Sequence, residues 1–331
     1  MRILRFNMQA EPVSAARTGV LMVGGMIGDL RAGYAAYLAQ TRGDTHAREI
    51  AALRFPPNIN DILNMGGVTH AAIAETAAWL AQTLEKNPGA TGLAGEPLFS
   101  PLADSRLHAP IRPSKLISVN QGHRLRVSSP AGGKGRVPSC TIKTVNTIIG
   151  PQREVTAPAG VPGLDYETKL VIVIGKKCKN VAEDSAYDFV YGYQVANDIV
   201  APSVMDAEAD VGGYLMSGLF DSFCPMGPWV ATRDEMTDPA ALKVRTSING
   251  ETVQEGSFRD VHWSIPELVA YASRMTLEPG DMIMTGIRAA SGRGIRRMLN
   301  PGDLLVSEIA GLGELRNKIL EDKTAAVAWR W

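Results

Sequence analysis

Apolar and polar positions along this chain follow two different periods. Near the start, residues 2–6 predict a short strand. Residues 19–29 predict a strand pair, because Gly24-Gly25 between apolar stretches is a hairpin signal. The period then lengthens to that of helices over residues 30 to about 39 and 70 to about 84, where Ala72, Ile73, Ala77 and Leu80 share one face. Residues 85–110, richer in Gly and Pro, read as a connection. From about residue 106 the texture is that of strands. Residues 116–119 form a short apolar strand, and 128–138 a Gly-rich loop without the Gly-Lys-Ser/Thr of a phosphate loop. Residues 170–174, Leu-Val-Ile-Val-Ile, are apolar on both faces and predict a central strand. A short helix is expected over 182–190 and a strand over 193–200. Asn249-Gly250 inside 242–254 is the strongest hairpin signal in the chain. Residues 265–274 predict an amphipathic helix, followed by strands at 281–285 and 303–309 around a Gly-rich loop. Many short strands with few helices favour a β-dominated second domain.

Composition narrows the function classes. The chain has 331 residues, 45% hydrophobic, with 34 basic and 34 acidic side chains, so its formal net charge is zero. This is enough apolar content for a buried core. The balanced charge argues against nucleic acid or an anionic membrane as the main partner. No window approaches about 18 uncharged apolar residues, and no apolar run follows the first arginines, so neither a membrane span nor a secretory leader is expected. Cys140, Cys178 and Cys224 lie far apart, as reduced thiols of a cytoplasmic protein would.

Candidate chemistry concentrates at residues 165–169, Asp-Tyr-Glu-Thr-Lys, which lead directly into the central strand. In an extended chain, side chains at i, i+2 and i+4 share a face. Asp165, Glu167 and Lys169 therefore line up. Asp198 falls in the next apolar strand, where an ionised group must be paired, hydrogen-bonded or metal-bound. Glu167, Lys169 and Asp198 fit one functional site, and equally a structural ion-pair cluster. His123 could serve as a general base at a cleft mouth, or be a surface-loop histidine. His262 beside Trp263 reads as packed. Arg288, Arg293, Arg296 and Arg297 could clamp a carboxylate, or form a solvated basic loop.

A resemblance runs through residues 164–167, 173–176, 192–198, 220–229, 277–286, 301–303 and 311–317, in order, over most of residues 110–319. These stretches resemble the fumarylacetoacetate hydrolase family. The resemblance implies an α+β chain: a small N-terminal α/β domain, residues 1–105, and a mixed β-roll catalytic domain, residues 106–331. It further implies a homodimer and a hydrolase, decarboxylase, isomerase or hydratase acting on small 2-oxo acids or 1,3-diketones, usually with Mg²⁺ held on carboxylates. Tyr193, Asp221 and Thr285, which fall in the matching motifs, are expected with Arg288 to contact substrate.

The site departs from the family pattern. Glu167 and Asp198 match the family's metal ligands, but its second glutamate is here Lys169, whose ammonium opposes a cation. The family lysine ahead of the Phe-Asp pair is missing, since Ser217-Gly218-Leu219 precede Phe220-Asp221. His123 stands about three positions early for the family's catalytic histidine. The expectation is an enzyme that stabilises an enolate without a tightly bound metal, using Lys169, Glu167 and His123. At most a weak Mg²⁺ would sit on Glu167, Asp198 and Asp165. The alternative is a catalytically silent homologue that serves as a binding or partner subunit.

Overall fold

A computed structural model of the chain describes residues 1–120, 137–213, 215–285 and 297–323. The N-terminal third contains β1 (Arg2–Met8), β2 (Arg17–Leu21), β3 (Met26–Asp29), α1 (Leu30–Arg42), α2 (Ala47–Arg54), α3 (Ile59–Asn64), α4 (Gly67–Lys86), β4 (Phe99–Pro101) and β5 (Ser105–His108). The hairpin expected at Gly24-Gly25 joins β2 to β3. α1 starts where Asp29 accepts a hydrogen bond from the Ala32 amide at 2.9 Å and stops at Gly43 in the left-handed region. The expected helices correspond to α1 and α4. The shorter α2 and α3 gave no clear period, and β4 and β5 interrupt what read as a plain connection.

The remainder contains β6 (Leu116–Val119), β7 (Cys140–Lys143), β8 (Ile148–Ile149), β9 (Val155–Ala157), β10 (Asp165–Ile174), β11 (Val190–Val200), α5 (Pro202–Asp210), β12 (Cys224–Thr232), β13 (Lys243–Ile248), β14 (Glu251–Ser257), α6 (Ile265–Ala272), β15 (Met282–Thr285), β16 (Leu304–Ile309) and β17 (Gly313–Glu321). The short helix expected at 182–190 is a 3₁₀ segment, Glu183–Phe189. Asn249 and Gly250 both adopt positive φ, as a tight hairpin between β13 and β14 requires. α6 opens with a reciprocal capping box between Ser264 and Glu267.

Two sheets organise these strands. The larger runs β4-β3-β2-β1-β12-β11-β10-β15-β6-β7, with β5 on β1 and β8 on β12; the smaller runs β14-β13-β16-β17-β9. β10 lies between β11 and β15, and residues 166–174 are all buried, so the apolar run is central as its two-faced hydrophobicity predicts. The N-terminal strands join the same large sheet through pairing of β1 with β12, and position 105 falls at the start of β5. At Gly192 a Cβ would stand 2.1 Å from the Ala231 carbonyl oxygen, so only glycine lets β11 and β12 approach this closely.

One face of β10 carries Val171 and Val173, which pack with Ala196, Met226, Met282 and Met284 into the core shared with the N-terminal helices. The other face carries Leu170 and Ile172, which pack with Tyr193 and Val195 toward α6. The site follows from this division into faces.

Candidate functional site

On the Val171 face, β10 continues backward through Lys169, Glu167 and Asp165. Register places Glu167 opposite Asp198, and Lys169 opposite Ala196, whose small side chain leaves room for a long neighbour. The Lys169 ammonium lies 3.0 Å from Glu167 Oε2 and 3.7 Å from Asp198 Oδ2. It also donates to the Val119 carbonyl oxygen of β6 at 2.6 Å. Val119 is the last residue of β6, the strand beyond β15 in the sheet order. Lys169 is fully buried, and Glu167 and Asp198 are each 3% exposed. Asp165, at the outer end of β10, is half-buried and accepts a hydrogen bond from the Tyr166 amide at 2.8 Å.

A second lysine completes the cluster. Lys143, the last residue of β7, is remote from β11 in strand order, yet its ammonium lies 2.8 Å from Asp198 Oδ1. It donates to the carbonyl oxygens of Ile199, Gly218 and Phe223 at 2.9, 2.9 and 3.0 Å. Three carbonyls match its three N–H groups, so its pairing with Asp198 acts through charge. The Ser118 hydroxyl of β6 donates to Asp198 Oδ2. The curl of the large sheet brings these groups together: β6 and β7 swing over β11, and β8 then pairs with β12. Among the described residues the cluster therefore holds two ammoniums, two carboxylates and a hydroxyl, whose formal charges balance.

Burial alone would push the Asp198 carboxyl up, but Lys143 first and Lys169 next, with the Ser118 hydrogen bond, hold it down at about 2. Asp198 is thus ionised at any pH near neutrality. The nearby Cys224 thiol is pushed up to about 12 by burial and stays protonated.

Lys143 and Asp198 form the polar end of a cavity of about 340 Å³, walled by Val200, Met205, Leu215 and Leu219, with Asn120, Thr141 and Cys140 at β6 and β7. Lys169 and Glu167 lie behind Asp198 and do not line it.

The structure brings together Glu167, Lys169 and Asp198 and separates other expected contributors from them. Tyr193 pairs with Ile172 and Thr285 with Leu170, so both point from the opposite face of the large sheet. The two residues expected to contact substrate therefore stand on the face of β10 and its neighbours opposite Lys169 and Asp198. Thr285 lines a different cavity of about 410 Å³, together with His262 and Trp263. Tyr193 is fully buried, its hydroxyl without a hydrogen-bond partner among the described residues. Asp221 is exposed in the turn before β12 and accepts from the Asn146 amide at 2.7 Å, outside the cavity. Arg297 pairs with Asp303 at 3.1 Å and Glu251 at 3.4 Å, away from the site. His123, Arg288, Arg293 and Arg296 lie outside the described residues. Sequence reasoning missed Lys143 and Ser118. The available signal was that both are polar residues in short strands flanking the Gly-rich loop.

A sequence profile described as fumarylacetoacetate (FAA) hydrolase C-terminal matches residues 116–320, which span the cluster and every strand that supports it. The chain belongs to the fumarylacetoacetate hydrolase family. Oxaloacetate tautomerase YisK of Bacillus subtilis is 34% identical over 232 residues, covering 66% of this chain and 74% of that protein. Two solved structures share the fold over 97% of the chain. The 5-carboxymethyl-2-hydroxymuconate delta-isomerase of Mycobacterium smegmatis has 25% identity, a TM-score of 0.65 and is covered completely. The maleylpyruvate hydrolase of Sphingobium sp. SYK-6, solved with manganese(II) ion and pyruvate, has 26% identity, a TM-score of 0.65 and 99% coverage.

The family implies a divalent cation, and the donor set here does not fit one. Asp198 already meets Lys143 on Oδ1, with Ser118 and Lys169 on Oδ2, and Glu167 Oε2 meets Lys169. Two ammoniums within these distances repel a dication. Among the described residues no group of three or more His, Cys, Asp or Glu side chains could hold a metal ion.

Proposed function

We propose that this chain is an enzyme of hydrolase or isomerase type that acts on a small keto/enol substrate without a bound metal. Fixed ammoniums supply the positive field that stabilises an enolate. The observation that carries this reading is the position of Lys169, held by Glu167 and Asp198 where the family places a second carboxylate ligand. The named relatives, a tautomerase, an isomerase and a hydrolase, support it. A step common to such reactions is a proton moving on or off carbon beside a carbonyl, with negative charge building on oxygen.

Each group has a distinct part. Asp198 stays ionised, so it is a poor proton acceptor and instead orients the two lysines. Lys143 stands at the cavity and contributes charge, its N–H groups being committed to carbonyls. Lys169 adds a second positive charge behind it and fixes Glu167. In a low-dielectric setting such preorganised charge is worth more than in water. His123 is the candidate for moving the proton.

The test follows ketonisation of an enolised 2-oxo acid or 1,3-diketone by ultraviolet absorbance, before and after chelator treatment, with the unaltered protein and Lys169→Met. Chelator-resistant turnover that falls about a hundredfold in Lys169→Met supports the proposal. Turnover abolished by chelator and restored by Mn²⁺ overturns metal independence. The committed N–H groups of Lys143 favour a second reading, a silent homologue that keeps the cavity for binding. Absence of turnover on any substrate of this class would favour it.

A further inference from the structure

The cavity beside Lys143 also constrains what enters it. Ligand sites recognise a carboxylate with free N–H donors, above all a forked arginine. Among the described residues lining this cavity the one cation is Lys143. Its three N–H groups already serve Ile199, Gly218 and Phe223, and its charge is matched by Asp198 at 2.8 Å. A permanent substrate carboxylate placed here would lose its hydration without gaining an N–H donor from Lys143, a cost that the dispersed, transient charge of an enolate escapes in large part. The walls opposite are aliphatic: Val200, Met205, Leu215 and Leu219. Leu219 adjoins Gly218, so the wall and the carbonyl that binds Lys143 belong to one turn, Met216–Gly218 and the residue after it. Among the described residues, the polar side chains left to greet a substrate are the neutral ones of Asn120, Thr141, Ser217 and Cys140, which suit a ketone or enol oxygen. A cavity of about 340 Å³ lies at the small end of the usual range for ligand sites.

We infer that this cavity takes the uncharged, apolar arm of its substrate, so that the preferred compounds are alkyl- or aryl-substituted ketones and 1,3-diketones rather than dicarboxylic 2-oxo acids. The inference rests on the keto/enol reading above and specifies the substrate class for the same site.

The experiment compares oxaloacetate with a series of neutral 1,3-diketones whose alkyl arm lengthens from methyl to pentyl. Binding is measured by titration calorimetry and turnover by enol absorbance. Each methylene buried against the aliphatic wall should tighten binding about three- to fourfold until the cavity is full, and oxaloacetate should bind at least tenfold more weakly than the best diketone. Leu219→Arg should flatten the chain-length series and bring oxaloacetate closer to it. A flat series in the unaltered protein, or oxaloacetate as the tightest ligand, overturns the inference. If oxaloacetate is then still turned over, the keto/enol reading survives. If the series binds with the expected gain but nothing is turned over, the inference about the cavity stands and the keto/enol reading falls. The calorimetric readout does not depend on activity, so the two failures are distinct.

Discussion

The Lys169 ammonium sits 3.0 Å from Oε2 of Glu167, two residues earlier on the same strand face, and both groups are buried. Removing one partner of such a pair leaves an uncompensated charge inside the protein. Lys169→Ala should cost about 3–5 kcal/mol of unfolding free energy, read from urea denaturation. The double variant Glu167→Gln, Lys169→Met should recover part of that loss, since it removes both charges. A double variant no better than Lys169→Ala would show that the pair is not the source of the cost.

Lys143 should matter as much for a different reason. Lys143→Met removes three hydrogen bonds at once and leaves the carbonyls of Ile199, Gly218 and Phe223 without that donor. It also strips Asp198 of its 2.8 Å partner. A destabilisation of about 3–5 kcal/mol is expected. Calorimetric unfolding should show this as a drop in Tm of several degrees.

Asp198 couples the cluster to pH. Its carboxyl is held at about 2 in the folded protein against an ordinary value of 3.8. A group whose folded value is depressed stabilises above its unfolded value and loses that contribution as pH falls toward the folded one. About 2 kcal/mol should therefore be present above pH 4 and disappear progressively between about pH 4 and pH 2. Urea midpoints at pH 6, 4, 3 and 2 would follow it. Asp198→Asn should lower stability near neutrality and flatten this part of the acid limb. An unchanged limb in the variant would place the acid sensitivity in other carboxylates.

Metal affinity should respond to charge at position 169. The unaltered protein should bind Mn²⁺ with less than one equivalent at micromolar concentration, measured by calorimetry and elemental analysis. Lys169→Glu replaces an ammonium with a third carboxylate and should raise affinity at least tenfold. Stoichiometric tight binding by the unaltered protein would contradict the reading that Lys169 keeps a divalent ion out of the cluster.

Gly192 provides a test of the strand packing that carries the site. A Cβ there would stand 2.1 Å from the Ala231 backbone oxygen, which no side-chain rotation relieves. Gly192→Ala should force β11 and β12 apart and cost at least about 2–3 kcal/mol. A near-neutral variant would mean that the two strands separate easily.

Local pattern determined a good deal of this protein. The two-residue period of extended backbone placed Glu167 and Lys169 on one face, and the apolar run ahead of them marked β10 as central. Asn249-Gly250 marked its hairpin because few residues tolerate positive φ at both positions. The family motifs carried the α+β class. These features depend on neighbours within a few residues, so the local sequence contains them. Tertiary structure decided the rest. Whether Tyr193 and Thr285 share a face with Lys169 depends on the register of β11 and β15 against β10. That register pairs Thr285 with Leu170 and Tyr193 with Ile172, and a shift of one residue would reverse both. Lys143 and Ser118 reach Asp198 only because the large sheet curls back on itself. That curl comes from strand twist and from packing between distant surfaces, to which no short stretch of sequence commits.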